Sequence, residues 1–136
     1  MKNLFISGVT GKVGKLLSSY ALESNQFKLV GGSCSPDSTF IGKDVGELLE
    51  IEETGIQISG KISEDLSADI IIEFSSPKSS MEVLQLAKKK KIPILIGTTG
   101  FGEDDFKEIE VASTKIPILF APNTSSGIAI LKNILN

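Results

Sequence analysis

Three features of the sequence predict an α/β fold, a doubly wound parallel sheet with helices on both faces. Strand, helix and strand repeat along the chain with crossovers of helical length, which parallel pairing requires. The run Ile70-Ile71-Ile72-Glu73-Phe74 is continuous and β-branched, as in a strand buried on both faces of a parallel sheet. Loops rich in Gly, Ser and Thr follow the strands, and right-handed crossovers wind the intervening helices onto both faces.

The chain opens on a strand at Leu4-Phe5-Ile6-Ser7 that breaks into Gly8-Val9-Thr10-Gly11-Lys12-Val13-Gly14. Three glycines spaced three apart read as a phosphate cradle. Gly8 permits a sharp turn, Gly11 lets backbone approach a pyrophosphate, and Gly14 lets the next helix pack closely on the sheet. That helix would aim its free N–H groups at the anion. Val13, Leu16, Leu17, Tyr20 and Ala21 recur at helical spacing and predict its buried stripe. The spacing is G-x-x-G-x-x-G and not G-x-G-x-x-G, and on these residues alone a strand-to-helix turn that binds nothing explains the pattern equally well.

Phe27-Lys28-Leu29-Val30-Gly31 predicts the second strand, with a turn from Gly32 to Ser38 after it. Dinucleotide-binding folds often read the adenine ribose here with an acid at the strand end, and none is present. Gly42 to Leu49 predicts a short helix or turn, and Ile56-Gln57-Ile58 an edge strand. Glu50, Glu52 and Glu53 have no His or Cys partner and read as solvated surface, so no metal site is expected.

The run from Ile70 to Phe74 is expected as a central strand. Ser76 suits an N-cap and Pro77 the first helical position of a helix reaching about Lys90, with Met81, Val83, Leu84 and Ala87 inward. Lys88 to Lys91 fit a helix C-terminus better than a binding patch. Ile92 to Ile96 is the next strand, its proline near the start, and runs into Gly97-Thr98-Thr99-Gly100. Glu103, Asp104 and Asp105 suit a helix N-terminus, with Phe106, Ile109 and Ala112 as inner face. Ile116 to Phe120 is a further strand opening into Ala121-Pro122-Asn123-Thr124-Ser125-Ser126-Gly127. Ile128, Leu131, Ile134 and Leu135 then begin an apolar-periodic helix that no cap or glycine ends.

Composition bounds the function. A chain of 136 residues with 40% hydrophobic content fits one domain, long enough to bury about two-thirds of its unfolded surface. A net charge of -3 gives no basis for a nucleic-acid or anionic-membrane partner, and no apolar run is long enough to span a bilayer. Met1-Lys2-Asn3-Leu4 leads directly into a strand and lacks the apolar core of a secretory signal. Cys34 is the only cysteine, which excludes an internal disulfide and fits an expected cytoplasmic location. Histidine is absent, so the commonest general acid or base near neutral pH is missing.

Ligands of open parallel sheets bind at the carboxyl ends of the strands. Those ends carry Gly8 to Gly14, Phe74 to Ser76, Gly97 to Gly100 and Ala121 to Ser126, so four small-residue loops converge on one edge of a Rossmann-like sheet. With these loops in this order, the whole chain resembles the N-terminal domain of the dihydrodipicolinate reductase family, also called 4-hydroxy-tetrahydrodipicolinate reductase. The resemblance rests on Gly8-Val9-Thr10-Gly11-Lys12-Val13-Gly14, Glu73-Phe74-Ser75-Ser76-Pro77, Gly97-Thr98-Thr99-Gly100-Phe101 and Ala121-Pro122-Asn123-Thr124-Ser125-Ser126-Gly127-Ile128.

The resemblance implies hydride transfer from NADH or NADPH to a cyclic unsaturated dicarboxylate, in lysine and diaminopimelate biosynthesis. It implies pyrophosphate contacts from Gly8, Val9, Thr10, Gly11, Lys12 and Val13. Gly97, Thr98, Thr99, Ala121, Pro122 and Asn123 are implied near the nicotinamide, and Phe74 and Ser75 in the same cofactor site. Three departures accompany it. The family usually has an acid near Cys34, with a basic neighbour where NADPH is accepted, and Cys34-Ser35 supplies neither, so cofactor preference stays open. The aromatic common at the position of Thr124 is absent. The family's catalytic His pair and Lys, and its Ser-Gly-Thr for the substrate carboxylates, lie in a second domain beyond the point where this chain stops, so the resemblance implies a dinucleotide-binding domain over residues 1–127 and, over 128–136, the start of a helix leading to a missing substrate and catalytic domain. No catalytic residue is therefore expected here, and the chain alone is expected to bind without turnover. Expected partners are a small-molecule dinucleotide and either further copies of the chain or the missing C-terminal domain. The alternative is a non-catalytic nucleotide-binding or interaction module that pairs with a separate chain through its last apolar segment.

Overall fold

The computed structural model describes residues 1–122 and 133. Asn123 and, Asn133 apart, the helix predicted over Ile128 to Leu135 lie outside the described residues. Six strands, β1 (Lys2–Ser7), β2 (Phe27–Ser33), β3 (Ile58–Ser59), β4 (Ile70–Glu73), β5 (Ile94–Ile96) and β6 (Ile118–Phe120), form one sheet in the order β3-β2-β1-β4-β5-β6. Every pair is parallel. Four helices connect them: α1 (Lys12–Glu23), α2 (Val45–Leu49), α3 (Pro77–Lys90) and α4 (Glu103–Ser113).

Alternation along each strand sorts side chains into two cores. Leu4, Ile6, Ile72 and Leu95 face one side, with Leu17 and Ala21 of α1 and Val45 and Leu48 of α2. Phe5, Ile71, Ile94 and Ile96 face the other, with Val83, Leu84 and Ala87 of α3 and Ile109 and Ala112 of α4. The sheet is thus doubly wound, as the run from Ile70 and the helical crossovers predict. The chain builds outward from β1 to β3, then returns to β4 on the other side of β1. The crevice between β1 and β4 is therefore the topological switch point, where ligands of such sheets sit.

Several local readings need correction. Leu16 does not join the buried stripe of α1 but is 39% exposed. The buried face of α1 is centred on Gly14, Leu17, Ser18 and Ala21. Small residues set this face: a Cβ on Gly14 would lie 2.0 Å from the Gly8 carbonyl oxygen, so the helix start presses directly on the first loop. Ser18 turns its hydroxyl back to the Gly14 carbonyl at 2.8 Å, which satisfies it without needing space. Phe106 likewise is 47% exposed. Its ring packs edge-on against Phe101 and Phe120, with centroids at 6.0 and 5.7 Å, and not into the core. β2 extends two residues past Gly31, because Gly32 and Ser33 pair with Ile6 and Ser7. The edge strand comprises Ile58 and Ser59, while Gln57 makes an isolated antiparallel bridge to Asp44.

Asp44 shows how a short helix is held. Its carboxylate accepts from the N–H groups of Gly46, Thr54 and Gly55 and from the Thr54 hydroxyl, at 2.6 to 2.9 Å. The Thr54 N–H, foremost, with the Thr54 hydroxyl and the other two N–H groups, holds this carboxyl at about 2 against an ordinary 3.8, while desolvation opposes. Its contribution is therefore present above 3.8 and lost as pH falls through about 2. Asp44→Ala is expected to lower the urea midpoint near neutral pH, with the gap to the parent closing in acid. Urea titrations at several pH values check this; a gap that stayed constant would remove Asp44 from the account.

Candidate functional site

Backbone geometry at the end of β1 dictates the shape of the first loop. Gly8 has φ +91°, a conformation open to glycine, and a Cβ there would lie 1.9 Å from the Phe74 carbonyl oxygen. The N–H groups of Gly8 and Val9 both donate to the Ser33 carbonyl at 2.9 Å, and the Gly11 N–H donates to Gly8 at 3.2 Å. Val9 is fully buried, its side chain against Gly32. Gly8 and Val9 therefore fasten the turn to β2 and leave donation to later residues. Lys12, Val13 and Gly14 occupy the first turn of α1, where N–H groups have no intrahelical acceptor. The N-cap is Gly11, which supplies no side-chain cap. A Cβ on Gly11 would meet nothing closer than 3.5 Å, so the loop is open on that side.

At the end of β4, Phe74 links two loops. Its N–H donates to the Ser7 carbonyl at 2.9 Å, its carbonyl abuts Gly8, and its ring occupies the space that a Cβ on Gly97 would need. Glu73, just before it, is fully buried. One carboxylate oxygen, Oε1, accepts from the Ser75 hydroxyl and from Thr98 Oγ1, the latter at 3.2 Å; Thr98 Oγ1 in turn accepts from the Ser75 N–H at 2.9 Å. The other oxygen, Oε2, and the buried Ser80 hydroxyl have no hydrogen-bond partner among the described residues. Burial pushes the Glu73 carboxyl up from its ordinary 4.5, against the hydroxyls of Ser7, Ser75, Ser80 and Thr98 that surround it.

The loops after β5 and β6 lie on the same edge. Gly97 donates to the Glu73 carbonyl at 2.9 Å, and Ala121 to the Ile96 carbonyl at 2.8 Å, which sets the two loops side by side with β4. Thr98 is buried, Thr99 exposed, Ala121 buried and Pro122 exposed. A cleft of about 920 Å³ opens at the switch point, lined by Gly8, Thr10, Gly11, Phe74 and Ser75 among the residues picked out from sequence. Val9, Lys12, Val13, Gly97, Thr98, Thr99, Ala121 and Pro122 border the same edge without lining this cleft. The rest of its wall includes Ser33 to Pro36, in the turn where the sequence places ribose recognition, Ser76 of the loop after β4, and Gly60, Lys61, Lys78 and Ser79, to which sequence reasoning assigned no role. Glu73 likewise had none, although an acid ending an otherwise apolar strand was the available signal.

Chemically, this edge offers uncapped backbone donors, small hydroxyls and a cleft of cofactor size, with Glu73 sealed beneath. No cluster of metal-ligating side chains occurs among the described residues, and no helix among them is long and apolar enough to cross a membrane.

The family model described as "Dihydrodipicolinate reductase, N-terminus" matches residues 2–124. The 4-hydroxy-tetrahydrodipicolinate reductase of Colwellia psychrerythraea is 35% identical over 130 residues, covering 96% of this chain and 48% of the relative. That of Hahella chejuensis is 32% identical over 136 residues, covering 99% and 51%. The chain thus spans about half the length of the curated relatives it matches. In fold it is similar to the dipicolinate-bound dihydrodipicolinate reductase of Paenisporosarcina sp. TG-14, with a TM-score of 0.69 at 20% identity over 90% of this chain and 48% of that one. A probable dehydrogenase from Thermotoga maritima gives 0.66 at 14% identity, over 87% and 35%. With its four loops on one edge of a 3-2-1-4-5-6 sheet and a match from residue 2 to residue 124, the chain belongs to the dihydrodipicolinate reductase family, of which it carries the N-terminal domain.

Proposed function

We propose that residues 1–127 are the NADH- or NADPH-binding half of a 4-hydroxy-tetrahydrodipicolinate reductase acting in the cytoplasm, and that residues 128–136 lead toward a substrate and catalytic domain. The observation that carries this is the convergence of four strand-end loops on the β1/β4 switch point in a chain of this family. The bound dinucleotide supplies the hydride. The chain's own residues bind and orient it. Thr10, Gly11, Lys12 and Val13 receive the pyrophosphate at the open first turn of α1, on the floor made by Gly8 and Val9. Phe74 and Ser75 border the crevice, and Gly97, Thr98, Thr99, Ala121, Pro122 and Asn123 flank the nicotinamide. Glu73 acts indirectly, tying Ser75 to Thr98 so that two loops keep one geometry.

Turnover needs a group that protonates the reduced substrate. The chain contains no histidine, and Glu73 is fully buried. The chain alone is therefore expected to bind cofactor without reducing substrate. Isothermal titration should show NADH or NADPH binding at micromolar to submillimolar dissociation constants, while coupled assays with the cyclic dicarboxylate stay at background. Absence of binding at millimolar dinucleotide would reject the cofactor reading; turnover near that of a full-length relative would reject catalytic incompleteness.

A further inference from the structure

We infer that Glu73 is a positioning residue whose carboxyl makes dinucleotide binding proton-linked: the site takes the anionic cofactor with Glu73 neutral, and affinity falls as that carboxyl ionises. This rests on the dinucleotide reading above. The strand register sets the position. Glu73 ends β4 in register with Ser7 of β1 and Ile96 of β5. Two residues on from Ile71, it shares the sheet face that α3 covers. Fully buried there, its carboxyl is surrounded by the hydroxyls of Ser7 from β1, Ser75 from the loop after β4, Ser80 from α3 and Thr98 from the loop after β5.

This enclosure holds no countercharge and satisfies only one of the two oxygens. Oε1 accepts from the hydroxyls of Ser75 and Thr98, whereas Oε2 and the Ser80 hydroxyl have no partner among the described residues. No cation pairs with it: the ion pairs among the described residues are Lys43 with Glu47 and Lys89 with Glu64. A buried anion with an unpaired oxygen and no counter-ion is unfavourable, so the enclosure suits the neutral carboxyl. The upward push that burial gives this carboxyl agrees.

The same network forms part of the cleft wall. Ser7 and Ser75 line the cleft, and the Glu73 carboxyl lies directly behind them. Ser75 donates its hydroxyl to Oε1 and its N–H to Thr98 Oγ1, and the Gly97 N–H donates to the Glu73 carbonyl. The loops after β4 and β5 are thus both fastened to this one residue. Ionisation would act on a bound dinucleotide in two ways. A negative charge one side chain behind the wall repels the pyrophosphate across protein, where screening is weak. A carboxylate also draws hydroxyl donors toward Oε2, which shifts the loops that hold the ligand. Both effects favour neutral Glu73 in the complex. By linkage the ligand then strengthens proton binding at Glu73 by the factor with which the proton strengthens ligand binding.

The test is isothermal titration of the purified chain with NADH and NADPH from pH 6 to pH 9, in paired buffers of different ionisation enthalpy. The parent should bind about tenfold more weakly at the alkaline end and take up a proton on binding where Glu73 titrates, the equivalent of about one pKa unit of coupling. Glu73→Gln keeps a neutral acceptor, so it should lose this slope and this proton uptake and bind more tightly than the parent at alkaline pH. The titratable side chains that line the cleft, Cys34, Lys61, Glu64, Lys78, Glu82 and Lys89, are the same in both proteins, as is the 2′-phosphate of NADPH, so the difference isolates Glu73. Should Glu73→Gln fail to fold, the carboxyl carbon shift of Glu73 in the labelled parent serves instead, its titration midpoint moving up when dinucleotide is bound. Equal pH slopes in parent and variant, or a carboxyl midpoint that dinucleotide leaves in place or lowers, would overturn the linkage and leave the dinucleotide reading intact. If neither dinucleotide binds at any pH, the dinucleotide reading fails and the linkage with it.

Discussion

Gly8→Ala should destabilise the domain by about 4 kcal/mol and abolish dinucleotide binding. Two terms add. A side chain at φ +91° costs about 1–3 kcal/mol, and forcing a Cβ to within 1.9 Å of the Phe74 carbonyl oxygen adds an overpacking cost of about 1–3 kcal/mol. Relief requires moving backbone against backbone, because no flexible side chain lies between them. Against a total stability of about 5–15 kcal/mol such a loss is large. Gly55→Ala isolates the first term, since Gly55 has φ +80° with nothing within 4 Å of its would-be Cβ. It is expected to cost only about 1–3 kcal/mol and to leave binding intact. Urea denaturation of both variants decides the matter: equal losses would show that the contact between the first loop and Phe74 carries no weight.

Glu73 governs the second large effect, through pH. Its carboxyl is raised in the folded protein, so between pH 4.5 and the folded-state value the unfolded chain has released a proton that the native chain retains. Stability is then fully present below 4.5 and lost as pH rises through the folded value. Glu73→Gln keeps a neutral acceptor for Ser75 and Thr98 and should flatten this fall, matching or exceeding the parent at alkaline pH. Glu73→Leu removes the acceptor, strands the buried Thr98 hydroxyl and should cost about 1–3 kcal/mol at every pH. Denaturation midpoints from pH 4 to pH 9 test this. A parent whose stability rises across that range would show that Glu73 is an ordinary ionised carboxylate.

The fold was legible because its signals are local. The continuous run from Ile70, the Ser76-Pro77 helix start and the small-residue loops after β1, β4 and β5 each follow from a few neighbouring residues, and all appear where expected. What escaped the sequence depends on close approach between distant parts. Leu16 and Phe106 fit a helical period, yet the face of α1 is chosen by how closely Gly14 meets Gly8, and Phe106 by its aromatic neighbours. Which cradle amides are free was equally hidden, because Gly8 and Val9 are occupied by Ser33, some 25 residues away along the chain.

The most direct test of the account is amide chemical-shift mapping of the isotopically labelled chain titrated with NADPH. Saturable shifts are expected to concentrate at Thr10 to Val13, Ser75, Thr98 and Thr99. The far ends of the strands, at Lys2, Phe27 and Ile94, should stay still. Shifts centred on those far ends, or none at millimolar NADPH, would contradict it.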